Sequence, residues 1–365
     1  MASLTNNEEQ DVRTWLVSQG LGKYADSLID GGADTMEVLF NEVNDDALSE
    51  LSPPIPKLKR GQILRKIAAA KTSGATKTTS STKSTTSKFT PIIDSYFTLD
   101  AVQKDLRKHG LEGSDMILGL DFTGSNSWQG RRTFNDGKSN DDWSENLHRL
   151  DPTGSILNPY QQVITAIGAA LSVFDDDNLI PAFGFGDKET SHDSIFDLNS
   201  GQKCGAEFGV AAEPCEGFDT VLAKYSARVK DRILWGKTTF HPLINEAARI
   251  AREEESFHIL VIVGDGAIEP ESNVTQTIEA IVNASKDAPL SIIMVGVGDG
   301  PWDLMEQFDD ELPARVFDNF QFVDFDKAFK GNSQEEKEAH FAMSCLQEIP
   351  EQYLFLKNSA NHGLG

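Results

Sequence analysis

The feature that most constrains this chain is a series of short, almost unbroken apolar runs. MILGL (116–120), HILVIV (258–263) and LSIIMVGV (290–297) are the strongest of them. Neighbouring side chains on a strand point to opposite faces of its sheet, so a strand apolar at nearly every position is buried on both sides. Weaker strand candidates lie at 179–185 and 321–323. Between them, stretches with helical spacing of apolar residues fall at 159–174, 218–229, 242–255, 275–286 and 334–348. Fully buried strands alternating with amphipathic helices predict an α/β fold, a doubly wound and mostly parallel sheet with helices on both faces, of the Rossmann-like kind.

Two of the apolar runs end abruptly in aspartate. The first continues as DFTGSNS, which places Asp121 at the strand end with hydroxyls at Thr123 and Ser125; the second ends in GDG at Asp265. The sequence GKTTF between them supplies another hydroxyl at Thr238. Ligands of open α/β sheets gather at the carboxyl ends of strands, so these five residues are the candidate metal ligands. Carboxylates and hydroxyls are hard oxygen donors, which suit Mg²⁺ or Mn²⁺. The pattern D-x-T-x-S, a loop threonine and a strand-end aspartate resembles the metal-ion-dependent adhesion site (MIDAS) of von Willebrand factor A domains. In isolation D-x-T-x-S is a weak motif, and Asp121 would serve equally as a helix cap. The order of the three elements and the strand before each aspartate favour the metal.

The first 72 residues read differently. Val12, Trp15 and Leu16, then Leu21, Tyr24, Ala25 and Leu28, have helical spacing; further helical stretches fall at 35–40, 45–51 and 57–71. Five short helices in this span, with WLVSQGLGKYADSLIDGG, DDALSEL and GQILRKI, resemble a sterile alpha motif (SAM) domain, a small all-α bundle. That resemblance implies association with other SAM domains, including self-association. Acidic Asp30, Asp34, Glu37, Glu42, Asp45 and Asp46 would face basic Lys57, Lys59 and Arg60 across such a contact. Residues 73–90 are dominated by Ser, Thr and Lys and read as a flexible linker. The α/β domain is expected over 91–357, with a tail at 358–365.

Charge and cysteine usage narrow the partners. A net charge of −24 argues against nucleic acid, whose phosphates would be repelled, and against an anionic membrane surface. No apolar run approaches the length of a membrane span, so direct membrane insertion is not expected. Cys204, Cys215 and Cys345 are too few and scattered for a disulfide framework; with no signal-peptide pattern at the start, the expected compartment is the cytoplasm or the nucleus. The histidines show no paired metal spacing, GFGDK and GVGDGP lack the full phosphate-loop pattern, and no catalytic constellation is evident.

A larger resemblance covers roughly residues 98–353. LDFTGSNSW, NPYQQVITAIG, GKTTFHPLI, LSIIMVGVGDGPWDLMEQFDD and FDNFQFVDF are similar to the copine-type von Willebrand factor A domain, in the version carried by plant RING-domain ubiquitin ligases of the RGLG family. It implies that Asp121, Thr123, Ser125, Thr238 and Asp265 hold the metal. Two departures stand out: an acidic insertion at 135–146, and Gly264 where a larger residue is common. A RING needs about eight Cys and His ligands, whereas only His340, Cys345 and His362 follow Asp326, so no RING is expected. Two C2 domains of well over about 100 residues each are not expected either, because only the SAM-like segment and the linker precede the α/β domain. The expectation is a non-enzymatic adaptor or scaffold whose metal takes an Asp or Glu from a protein partner. The alternative is a substrate-recruiting component of a ubiquitin ligase whose RING comes from another chain.

Overall fold

The structure is a computed structural model describing residues 12–16, 25–30, 33, 35–41, 43, 48, 67, 104, 107–108, 114–134, 146–171, 177–205, 208–266, 268–310, 312 and 314–359. The chain divides into two compact units, Met1–Thr85 and Thr86–Gly365.

In the first unit, helices α1 (Ala25–Asp30) and α2 (Met36–Asn41) bury Ala25, Leu28 and Leu39 together with Val12, Leu16, Leu48 and Ile67. Trp15 meets Phe40 edge to face, ring centroids 5.1 Å apart. Thr35 starts α2 by accepting the Val38 amide at 3.2 Å, which satisfies one of the amide donors left over at a helix start. The remainder of the expected five-helix bundle, the linker at 73–90 and the charged residues Asp34, Asp45, Asp46, Lys57, Lys59 and Arg60 lie outside the described residues.

The second unit is built on a seven-stranded sheet. Its strands are β1 (Asp115–Asp121), β3 (Ala182–Phe185), β4 (Ile195–Asp197), β5 (Lys203–Cys204), β7 (His258–Gly264), β8 (Leu290–Gly296) and β9 (Phe320–Asp324), in the order β5-β4-β3-β1-β7-β8-β9. The strands from β3 to β9 run parallel, and β4 and β5 add an antiparallel edge. Alternation along the strands splits the core in two. Leu118 and Leu120 of β1 and Val261 and Val263 of β7 face helices α3 (Pro159–Leu171), α4 (Gly217–Asp231), α9 (Gln334–Leu346) and α10 (Ile349–Asn358). Ile117, Leu260, Ile262, Ile292 and Met294 face α5 (His241–Glu254), α6 (Glu271–Asp287) and α7 (Asp303–Asp310). The mostly parallel sheet with helices on both faces is therefore as expected.

The stretch 179–185 is not one strand. It breaks at Pro181 into β2 (Leu179–Ile180), which pairs antiparallel with β6 (Cys215–Glu216) in a separate two-stranded sheet, and β3, which enters the main sheet. Proline has no amide to donate, but its carbonyl still accepts the Leu118 amide at 2.9 Å. A four-residue helix α8 (Phe325–Ala328) follows β9. Cys204, Cys215 and Cys345 are buried free thiols.

One close approach fixes a residue type in the core. Gly184 of β3 lies opposite Phe196 of β4, and a Cβ at Gly184 would sit only 2.0–2.7 Å from atoms of the Phe196 ring. That ring is itself wedged between Phe122 and the Arg232 guanidinium. Gly184→Val is expected to destabilise the domain by about 3 kcal/mol or more through overpacking, read as a lower midpoint in urea unfolding.

Candidate metal centre

The strand order places a topological reversal between β1 and β7. From β1 the chain moves outward to β3 on one side, and from β7 to β8 on the other. The carboxyl ends of two such strands bound a crevice, the usual ligand site of open α/β sheets. Asp121 is the last residue of β1, and Asp265 directly follows β7. Leu120 pairs with Val263, so the two carboxylates rise from neighbouring strands but are staggered along them.

The hydroxyls arrive on two loops. Thr123 and Ser125 lie in the turn after β1, which a short 3-10 helix (Gly124–Ser127) closes. Thr123 makes a bridge to Trp235, and the Gly124 amide donates to the Trp235 carbonyl. Thr238 belongs to the segment before α5 and bridges to Ile268 beyond β7. The Thr123 Oγ1 lies 3.1 Å from Ser125 Oγ and 3.2 Å from Thr238 Oγ1. Three hydroxyls thus converge from two loops, while the Thr123 amide donates to Asp121 Oδ1 at 2.7 Å. The structure brings together all five residues predicted from the sequence.

Asp121, Thr123, Thr238 and Asp265 are almost fully buried, and Ser125 is half-buried. Burial first, and the charge of Asp265 second, push the Asp121 carboxyl well above the usual carboxylate range; hydrogen bonds from Thr123 and the Asp265 amide pull the other way. Among the described residues Asp121 Oδ2 has no hydrogen-bond partner. A buried carboxylate oxygen without a donor is costly unless a cation meets it. The donor set is entirely hard oxygen, so Mg²⁺ or Mn²⁺ fits these residues. Gly264 belongs to this arrangement: a Cβ there would lie 2.9 Å from Asp121 Oδ2 and 3.0 Å from its Cβ. The missing side chain at 264 makes room for the Asp121 carboxylate.

A second layer holds the strand end and was not legible in the sequence. His148 stacks between Phe122 and Tyr160, at centroid distances of 4.9 and 4.2 Å. Its Nε2 lies 2.8 Å from the Asp121 carbonyl and its Nδ1 2.8 Å from the Tyr225 hydroxyl. A carbonyl can only accept, so Nε2 carries the proton and Nδ1 accepts from Tyr225. Burial lowers the His148 pKa to about 3, so the ring is neutral. Tyr160 donates to Asn126 Oδ1 at 2.6 Å, and Asn126 Nδ2 reaches Thr123 Oγ1 at 3.3 Å. The glycine-rich GVGDGP is structural: Asp299 accepts the amides of Arg132 and Thr133, each at 3.1 Å, and ties the loop after β1 to the loop after β8. His241 starts α5 and bonds Thr239 at 2.8 Å. Of the acidic insertion, only Asn146 is among the described residues.

The second unit is thus an α/β domain with a buried cluster of hard-oxygen side chains at the switch point of its sheet. The family described as Copine matches residues 146–363, more than half of the chain. The chain belongs to the copine family. Among curated relatives, the E3 ubiquitin-protein ligase RGLG2 of Arabidopsis thaliana is 44% identical over 277 residues, covering 73% of this chain and 54% of the ligase. RGLG3 of the same plant is 41% identical over 272 residues, covering 72% of this chain and 68% of that protein. Copine family protein 2 of Caenorhabditis elegans is 43% identical over 265 residues, covering 73% of this chain and 3% of that much longer protein. The chain spans roughly half to two thirds of the length of the ligases it matches. A solved von Willebrand factor type A protein from Catenulispora acidiphila aligns with a TM-score of 0.35 and 11% identity over 64% of this chain and 43% of its own, too distant to carry an argument.

These relatives correct the expectation of a non-enzymatic chain, because five of them are named E3 ubiquitin-protein ligases. The expectation rested on the missing RING ligands and on missing acid–base and nucleophilic groups. A ligase that works by holding two proteins together needs no acid–base or nucleophilic group of its own. Among the described residues, no helix is long and apolar enough to cross a membrane.

Proposed function

We propose that this chain is the metal-dependent protein-binding part of ubiquitin ligation machinery. Asp121, Thr123, Ser125, Thr238 and Asp265 hold Mg²⁺ or Mn²⁺, and a partner's Asp or Glu completes the coordination. The observation that carries this reading is Asp121 Oδ2, buried without a donor beside three converging hydroxyls. When bound, the ion supplies a positive centre at the sheet edge that recognises a carboxylate. The chain's own residues do the rest. His148 and Tyr225 hold the Asp121 backbone, and Asn126 and Tyr160 orient Thr123. Trp128 and Trp235, each more than half of its full area exposed or close to it, stand on the two loops that carry the hydroxyls and offer apolar contact around the ion. Large exposed aromatics are frequent anchors of protein interfaces.

The ligase relatives support a role in delivering substrates for ubiquitin transfer, and the compartment we propose for it is the cytoplasm or the nucleus. The SAM-like segment over 1–72 adds avidity: one metal-centred contact is weak after association entropy is subtracted, and self-association would multiply it. The buried helical core around Leu16, Leu28 and Leu39 supports this part of the reading.

The test is affinity capture on the full chain in Mg²⁺ and in EDTA, with proteins identified by mass spectrometry and assayed as ubiquitination substrates. A set of proteins lost in EDTA and lost again with Asp121→Asn is expected. Removal of residues 1–72 should weaken capture without abolishing its metal dependence. Identical capture in Mg²⁺ and EDTA would refute the metal reading.

A further inference from the structure

A second cluster of metal-ligating groups lies at the opposite edge of the sheet. Asp115 opens β1, His258 opens β7, and Glu254 ends α5. Glu255 adopts the left-handed conformation, φ 52°, and this turn leads the chain from the helix end back into the strand. His258 Nε2 lies 3.1 Å from Glu254 Oε2 and 3.9 Å from Asp115 Oδ2. One ligand atom from each of the three residues falls within 4.8 Å of the others. His258 is 1% exposed, whereas Glu254 is open to solvent.

The hydrogen bonds decide which nitrogen faces the carboxylates. His258 Nδ1 lies 3.0 Å from the Ser256 carbonyl, which can only accept. Ser256 Oγ, 3.3 Å from the same nitrogen, directs its own proton to Asp115 Oδ2 at 2.6 Å. Both neighbours of Nδ1 are therefore acceptors, and Nδ1 must carry a proton. Nε2, 3.1 Å from Glu254 Oε2 and 3.9 Å from Asp115 Oδ2, then faces two carboxylates, an arrangement of acceptors that a shared cation or a second ring proton would satisfy. The surrounding pattern is that of a metal-ligating histidine, whose other ring N–H donates to a backbone carbonyl while ligating carboxylates receive hydrogen bonds of their own.

We propose that Asp115, Glu254 and His258 form a second divalent-cation site, of the zinc class. Imidazole nitrogen with carboxylate oxygen suits Zn²⁺ rather than Mg²⁺. Ligands about 2.0–2.2 Å from a tetrahedral ion stand roughly 3.3 Å apart, and the two observed separations from Nε2 bracket that value. Three protein ligands leave a fourth position for water or a partner's side chain. The ion would clip the end of α5 to the starts of β1 and β7.

The test is calorimetric titration of ZnCl₂ into full-length protein stripped by chelator and returned to excess Mg²⁺. One tightly bound equivalent is expected in the wild type and in Asp121→Asn. Binding should weaken roughly 100-fold in Glu254→Gln, about 2.8 kcal/mol, and disappear in His258→Gln. Glu254 sits on an exposed helix end, so its variant keeps the test valid even where His258→Gln fails to fold. No Zn²⁺ binding, equal binding in Glu254→Gln, or loss of binding in Asp121→Asn would each overturn the proposal. So would His258 ring NMR signals that do not move with Zn²⁺, the mark of an imidazolium bridging two carboxylates.

Discussion

Asp121→Asn is expected to raise the melting temperature of the metal-free protein and to erase its rise with Mg²⁺. In the wild type without metal, two buried carboxylates share the crevice between β1 and β7, and each disfavours the charge of the other. Asparagine keeps the oxygen that accepts the Thr123 amide and removes one of the charges. Metal binding to the wild type stabilises by RT ln(1 + [L]/Kd), about 2.7 kcal/mol at a hundredfold excess over Kd. For a domain of this size that is roughly 5–10 °C. Differential scanning calorimetry in EDTA and in millimolar MgCl₂ reads both effects at once. A variant that melts lower than wild type in EDTA, or still gains stability with Mg²⁺, would contradict the assignment.

His148 is expected to make the domain acid-sensitive well above the range of ordinary carboxylates. The unfolded histidine takes up a proton near its usual value of 6.5, whereas burial holds the folded ring's pKa to about 3. Stability attributable to the neutral ring is present above pH 6.5 and is lost as pH falls from there toward 3. At 1.36 kcal/mol per unit this is about 2 kcal/mol between pH 6.5 and 5, and on the order of 4–5 kcal/mol over the whole window. His148→Gln should be less stable than wild type at pH 7.5, having lost contacts to the Asp121 carbonyl and Tyr225, yet should fall less steeply between pH 7.5 and 5. Urea unfolding at the two pH values separates slope from level. Parallel curves for the two proteins would show that His148 does not stay neutral in the fold.

The parts of the fold legible in the sequence were those with long, local signals. β7 and β8 each carry seven buried residues in a row and β1 carries six, and no other reading of such runs was open. The two strand-end aspartates inherited their positions from them. β4, β5 and β6 have only two or three residues each, too few for a period to register, and they form because neighbouring strands template them. Pro181 was the local sign that 179–185 would break, but its effect depends on β6, which the pattern did not reveal. The support of Asp121 by His148 was invisible for another reason. His148 meets Tyr225 from 77 positions away, and a lone histidine in a loop carries no spacing to read. The sites differ likewise: D-x-T-x-S is a local motif, while Asp115, Glu254 and His258 meet only after the helix and two strands have packed.

The pairing of β1 with β7 has a consequence for how the metal can be used as an instrument. Leu120 opposite Val263 sets the offset between Asp121 and Asp265, and that offset is held by apolar side chains packed on both faces of the sheet. Slipping the pairing by one residue would turn every side chain of a strand to the wrong face, so the spacing of the two carboxylates is a property of the whole interior. With the proposed metal site, Mg²⁺ affinity is therefore expected to act as a gauge of the core. Repacking substitutions at Leu118, Ile262 or Leu243, none of them a ligand, should register in metal titrations in proportion to how far they shift the two central strands.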